Sequence, residues 1–381
     1  MWLSLAVVGV VLTGWLLLTV LLQPATQTTS EPTPTATVEE QSTLLIQARN
    51  DSDLGAGNLV GAEGGGLPGV QLLAPSRLVV DVPSQGQRTL GQTARLIDRR
   101  ASEDALGDLL ALRIDGTLSL GRLALAGMVD YVGGITIDVD REITVTDEES
   151  GAETVLVPEG QVHLDGTQAA AYALAWLPDE PETARMARYS QVMTATIGAL
   201  PEDQLRVEQM LTALGGSART TAANPTVAGI LLGMRSQILA GSQLVRTLPT
   251  AEPAAEAGLG SVSADLVAAG EVLGEVLPQA QLPPEEARPR VVVRNGVGRA
   301  GLGAHAREEL VGAGMVYING GNADELGNRT TDVYVGRSAE DQVLGGDLAD
   351  ALGVPAGSVK QDEDVLAGAE ALVVLGADFE P

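Results

Sequence analysis

Few side chains in this sequence are placed to do nucleophilic or metal chemistry. Cysteine is absent, so neither a disulfide framework nor a thiolate metal site can form. The two histidines, His163 and His305, lie far apart in sequence and give poor support to a zinc site or a Ser-His-Asp triad. Carboxylate, guanidinium and glycine remain. Asp51 and Asp53 have the spacing of a metal pair, although in a chain with 50 acidic residues such pairs arise by chance. Arg185 and Arg188, three apart on a predicted helix, share a surface that in most proteins is simply solvated. Asp81, just before Val82-Pro83, fits a strand-end cap, and Asp130 and Asp165 fit turn and cap geometry. Gly296-Val297-Gly298-Arg299-Ala300-Gly301 follows a predicted strand, opens a predicted helix and has Asp324 beyond it, which matches the dinucleotide fingerprint. Against a nucleotide stand the small size of that region and its charge: seven basic against fifteen acidic residues from 290 to 381 leave −8. A tight turn and helix–strand packing explain the glycines more simply.

The elements that must position these residues read as alternating strands and helices. Apolar runs at Leu44 to Ile46, Leu72-Leu73 and Leu78 to Val82 predict buried strands, with Gly55, Gly57, Gly64, Gly65, Gly66 and Gly69 marking turns between them. Helices are expected over 104–112, 118–131, 166–176, 183–200, 202–214, 225–240 and 261–277, with a strand at 135–139 after Gly133-Gly134. Four prolines from Pro278 to Pro289 mark a linker. Beyond it the pattern is β-α-β-β-α-β: strands at 290–294, 315–318, 331–335 and 371–375, helices at 301–312 and 341–352. The expected fold is an α/β/α sandwich followed by a small two-layer α/β domain.

The 381 residues suit two domains and an anchor. Trp2 to Leu22 carries no charge and is long enough to span a bilayer as one helix. A cleaved signal peptide is the rival reading, but the start has no basic residue and Gln23-Pro24-Ala25-Thr26 is a poor cleavage site. The Thr/Pro-rich stretch 24–41 reads as a disordered stalk. The expected order is therefore anchor 1–23, stalk 24–41, main domain 42–277, linker 278–289 and C-terminal domain 290–381. A net charge of −27 with no basic run excludes a nucleic-acid footprint. Aromatics are 2% of the chain, so the cores must be aliphatic and little surface is left for stacking bases or sugars.

Several stretches resemble the LytR–CpsA–Psr family in order and spacing. Val129-Asp130-Tyr131-Val132-Gly133-Gly134-Ile135 is similar to its helix-to-strand signature, and Leu164 to Tyr172 to a second one. Arg185 with Arg188 resembles a third, and Pro75 to Pro83 resembles the strand bearing a catalytic Arg-Asp pair. Val291 to Gly296, Gly301-Leu302 and Val373 to Phe379 resemble the LytR C-terminal domain. The resemblance implies an extracytoplasmic protein on the cytoplasmic membrane, held in the bilayer through residues 2–22. It implies movement of a glycopolymer from polyprenyl pyrophosphate onto peptidoglycan with Mg²⁺, and partners among polyprenyl-phosphate lipid, peptidoglycan and wall glycopolymer. On that reading Arg185, Arg188, Arg77 and Asp81 are the catalytic candidates, Arg49, Arg185 and Arg188 the phosphate ligands, and Asp51 and Asp81 the metal ligands. An apolar tunnel for the lipid would be lined in part by Leu118 to Val132.

The sequence departs from the pattern where charge matters. The expected Arg-Asp pair reads Ser76-Arg77, the paired arginines after Tyr172 are Leu174 and Trp176, and Gln-Gln after Arg188 is Tyr189-Ser190. The acidic residue three before Arg185 is Glu182 rather than Asp. Losing cations from a site that stabilises a pyrophosphate costs orders of magnitude in rate. The leading expectation is therefore a degenerate, binding member of the family, with an active transferase and a ligand-free envelope scaffold as rivals.

Overall fold

The computed structural model describes residues 40–52, 54–146, 151, 153–177, 180–252 and 260–380. The expected anchor and nearly all of the stalk lie outside these. Among the described residues no helix is long and apolar enough to cross a membrane.

The main domain begins with β1 (Gln41–Arg49), β2 (Gly55–Gly64) and β3 (Gly69–Leu73), then a hairpin of β4 (Val79–Val82) and β5 (Gly86–Thr89). A short α1 (Leu90–Thr93) and α2 (Ala101–Leu110) lead to β6 (Thr117–Gly121) and α3 (Arg122–Tyr131). Next come β7 (Ile135–Val139), β8 (Ile143–Thr146), β9 (Glu153–Val157) and β10 (Gly160–Leu164). The chain continues through α4 (Gly166–Leu174), α5 (Glu182–Gly198), α6 (Gln204–Ala213), β11 (Ala218–Thr220), α7 (Asn224–Leu239) and β12 (Gln243–Thr247). It closes with β13 (Thr250–Ala251), β14 (Ser263–Ala264) and α8 (Leu266–Val276).

The central sheet runs β11-β6-β1-β2-β3-β12. It mixes parallel pairs, β1 with β6 and β3 with β12, with antiparallel ones, β1 with β2 and β2 with β3. Alternation along β1 divides two cores: Leu44, Ile46 and Ala48 face one cluster with α3 to α7, while Leu45 faces the other with α2 and α8. Helices therefore cover both faces, as the expected sandwich requires. Gln41 closes the sheet's lower end by donating to Val276 O (3.0 Å) and accepting from Gln279 N (3.2 Å).

Two expectations need correction. Gly55 and Gly57 lie inside β2, not at turns. A Cβ on Gly57 would sit 2.5 Å from the Tyr189 ring, and one on Gly61 2.5 Å from the Met234 side chain. Gly57 and Gly61 are there because α5 and α7 press directly onto the strand. The single helix expected over 118–131 is a strand and then a helix: Leu118 and Leu120 pair in the sheet, and Gly121 turns the chain into α3. An all-apolar run has no period that separates a buried strand from a buried helix.

The C-terminal domain has β15 (Arg290–Asn295), α9 (Leu302–Gly312), β16 (Val316–Asn322), β17 (Asp332–Val335), α10 (Ala339–Ala351), β18 (Val359–Gln361) and β19 (Ala371–Leu375). Its sheet runs β16-β15-β19-β17-β18. The short β18 adds a strand to the expected β-α-β-β-α-β, on the edge beside β17. Val291, Val293, Val333 and Val373 face α9 and α10. The other face does not meet water: Val292 and Leu372 join the core formed by β4, α2 and α8. The proline-rich segment is correspondingly no free tether. Leu282 N donates to Ala111 O (2.8 Å), and Arg288 bonds to Asp108 (2.6 Å) and to Met315 O (2.9 Å).

One ion pair fastens this junction. Arg307 of α9 grips both carboxylate oxygens of Asp81 on β4 and donates to Val82 O (2.9 Å) and Pro83 O (3.0 Å). The Asp81 side chain is 4% exposed. Removing one partner of a buried pair strands the other charge, at about 3–5 kcal/mol. Arg307→Ala is expected to cost that much in denaturant unfolding, and Asp81→Ala with Arg307→Ala together to cost less than Arg307→Ala alone.

Candidate functional site

The candidate cluster forms where α5 starts. α4 is launched by a capping box: Asp165 accepts from Gln168 N (2.9 Å), and the Gln168 side chain returns to Asp165 N (3.2 Å). Asp130 fixes the same corner by accepting from Gly166 N (2.7 Å). Pro181 then precedes α5 with Glu182 in its first turn, where a carboxylate is favoured by the helix dipole.

Glu182 is the hub. Its Oε1 accepts from Arg185 (2.6 Å) and from Ser76 N (2.7 Å), and its Oε2 from Arg77 Nε (2.9 Å). Arg185 also donates to Ser76 Oγ (3.1 Å), and its guanidinium lies 4.4 Å from the centroid of the Trp176 ring. One turn on, Arg188 grips Glu180 through both terminal nitrogens (2.7 and 2.6 Å). It donates as well to Tyr172 O (3.1 Å) and Ala175 O (2.8 Å). The Tyr172 hydroxyl donates to Asp140 (2.8 Å).

Burial sets the electrostatics. It pushes the Arg185 guanidinium below its ordinary value, against the pull of Glu182. Hydrogen bonds from Arg188 hold Glu180 below the usual carboxylate range. Burial, with the bond to Asp140, pushes the Tyr172 phenol up to about 12. In sum Arg77, Arg185 and Arg188 face Glu180, Glu182 and Asp140, and Arg141 adds a further positive charge near Glu180.

The structure thus brings together Arg77, Arg185 and Arg188 and leaves the other candidates apart. Arg185 and Arg188 are neither solvated nor on an open helix surface: both are buried and paired. Arg49 reaches Ser217 O (2.9 Å) at the β6–α3 junction. Asp51 is 73% exposed and pairs with Arg122. Asp81, a candidate for both catalysis and metal binding, has both oxygens taken by Arg307. Asp53 lies outside the described residues. Asp51 and Asp81 therefore do not fit a shared Mg²⁺ site, and among the described residues no group of three potential ligands could hold a metal.

In the apolar stretch assigned to a lipid channel, Leu118, Leu120, Leu125, Met128 and Val129 are buried in one cluster with Tyr189 and Met234, while Leu123 is 79% exposed. Two sizeable cavities, about 570 and 510 Å³, lie elsewhere, along α2, the proline-rich segment and Arg288. The glycine motif at 296–301 serves a turn, with Asn295 accepting from Val297 N (3.2 Å) and Gly298 N (2.9 Å). Glu180 and Arg307 were not foreseen. Glu180 sits across a proline from its helix and Arg307 lies 226 residues from Asp81, so neither separation carries a periodic signal.

Residues 101–250 match the LytR_cpsA_psr family, and residues 288–379 match the domain described as LytR cell envelope-related transcriptional attenuator. The first match marks a LytR–CpsA–Psr domain, and the second a LytR C-terminal domain behind it. Among solved structures, Bacillus subtilis TagV is similar at 12% identity and a TM-score of 0.52, over 64% of this chain and 99% of that one. A protein from Enterococcus faecalis described as a transcriptional regulator is similar at 16% identity and a TM-score of 0.51, over 64% and 88%. At such identities the likeness is one of fold. No curated protein matches the chain.

Two measurements check this site. Replacing Glu182 by Ala strands Arg185 in a buried position and is expected to cost about 3–5 kcal/mol in chemical unfolding, whereas Glu182→Gln keeps an acceptor and costs less. Tyr172 ionises near 10.0 when unfolded and about 12 when folded, so its contribution is whole below pH 10 and is lost as pH rises through 12. Stability measured against pH is expected to fall less steeply over that window in Tyr172→Phe than in the parent.

Proposed function

We propose that this protein is a membrane-anchored, extracytoplasmic cell-envelope protein that uses a transferase-type fold to bind a wall glycopolymer or its lipid-linked precursor, without transferring it. The observation that carries this is the pairing of Arg77 and Arg185 with Glu182 and of Arg188 with Glu180. Pyrophosphate transfer needs guanidinium groups in excess, aimed at oxygens that gain charge in the transition state. Here carboxylates of the chain already hold those donors, and the arginines that the family pattern adds after Tyr172 are Leu174 and Trp176. Anchoring follows from the uncharged stretch Trp2 to Leu22, and the envelope location from the family match.

A second reading, an active transferase with a rearranged clamp, rests on Arg77, whose side chain is 42% exposed. It also rests on Arg185 Nε, which is buried without a hydrogen-bond partner.

The test is native mass spectrometry of the full-length protein in detergent, with a lipid-linked glycopolymer and Mg²⁺. The expected result is retained intact precursor or polymer with no release of polyprenyl phosphate. Turnover that Arg185→Ala abolishes would replace the binding reading by the active one, and absence of any retained ligand would leave neither.

A further inference from the structure

Trp176 stands where the family pattern has charge, and nothing in the ion-pair network requires an indole. It is the only tryptophan among the described residues and is 54% exposed. In a chain that is 2% aromatic, an indole open to solvent beside the candidate site calls for a reason. One face rests on the guanidinium of Arg185, which Glu182 and Ser76 hold in turn. Such a contact orients the ring by cation–π attraction. The backbone is pinned on either side, with Ala175 O accepting from Arg188 (2.8 Å) and Leu177 N donating to Glu180 (3.2 Å). The ring is thus a preorganised apolar plate, with its ordering cost met before any ligand arrives.

The surroundings select the ligand class. Glu180, Arg188, Asp140 and the Tyr172 hydroxyl bond to one another and carry no excess of positive charge. A doubly charged phosphate gains little from such a set. A neutral sugar ring fits both parts: its C–H face lies on the indole and its rim hydroxyls meet donors and acceptors of either kind. We propose that Trp176 is a carbohydrate-stacking platform, so that this site recognises the sugar of its ligand rather than the phosphate. The proposal rests on the binding function given above and names the part of the ligand that is gripped.

The experiment uses the full chain in detergent, with Trp2→Phe and Trp15→Phe so that Trp176 is the single fluorophore, titrated with a soluble N-acetylglucosamine–N-acetylmuramic acid oligomer. The expected result is a saturable shift in emission. By calorimetry, Trp176→Ala is expected to weaken binding at least tenfold and Trp176→Phe only a few-fold, with unchanged circular dichroism. Binding that is equal in Trp176→Ala, or that leaves emission unmoved, overturns the platform while the binding function stands. Equal competition by uracil, a planar base without a sugar, overturns the assignment to sugars. If the oligomer does not bind while native mass spectrometry still shows retained lipid-linked precursor, the platform fails alone; if neither is retained, both fail.

Discussion

A carboxylate buried among guanidinium groups governs this molecule. Glu182 and Arg185 are both almost fully shielded, and a charge taken out of water is tolerated only if its partners replace the lost solvation. Glu182 does so with three donors from two segments: Arg185 on its own helix, and Arg77 and the Ser76 amide on the loop before β4. That requirement joins α5 to the hairpin. The same logic repeats one turn later, where Arg188 ties Glu180 to the end of α4. A charge network that is satisfied from within is stiff, and it leaves little unspent attraction for an external anion. Cohesion and reactivity compete here for the same arginines.

The architecture could be read from the sequence wherever local pattern and burial agree. Helices α4 to α8 were recognisable because capping residues such as Asp165, breakers such as Pro181 and apolar periodicity coincide. The C-terminal domain was readable strand by strand for the same reason, apart from the three-residue β18. The failures have common causes. Gly57 and Gly61 interrupt β2 because Tyr189 and Met234 occupy the space of their missing side chains, and only the packed structure reveals that. β6 and α3 merged because both are apolar throughout. At the site, Arg77, Arg185 and Arg188 were among the candidates together with Arg49, Asp51 and Asp81, and Glu182 was noted three before Arg185, but Glu180 was not, since it looks like any other acidic residue in a strongly acidic chain. Asp81 looked chemical and proved to be half of a domain joint, with an arginine that no local rule connects to it.

The second domain shows how an exposed sheet face becomes an asset. Two layers are enough to shield one side of the sheet of β15 to β19, and the other side, with Val292 and Leu372, needs a neighbour. The main domain supplies one, and the proline-rich segment between them is hydrogen-bonded along its length instead of swinging free. The β4–β5 hairpin is shared property: Arg77 lies just before it and faces Glu182, while Asp81 within it faces Arg307. Any shift of one domain against the other pulls on the loop that helps hold the buried carboxylate.

The reach of Gln41 has a bearing on biosynthesis. The first strand of the sheet completes its bonding with Val276 and Gln279, and Asp81 finds its counter-ion only at Arg307. A growing polypeptide that has delivered the whole main-domain sheet still lacks these closures, and Asp81 is without its counter-ion. The native set of contacts is therefore complete only once residue 307 and the strands behind it have been made, because Asp81 takes its counter-ion and the second core its Val292 and Leu372 from the far end of the chain.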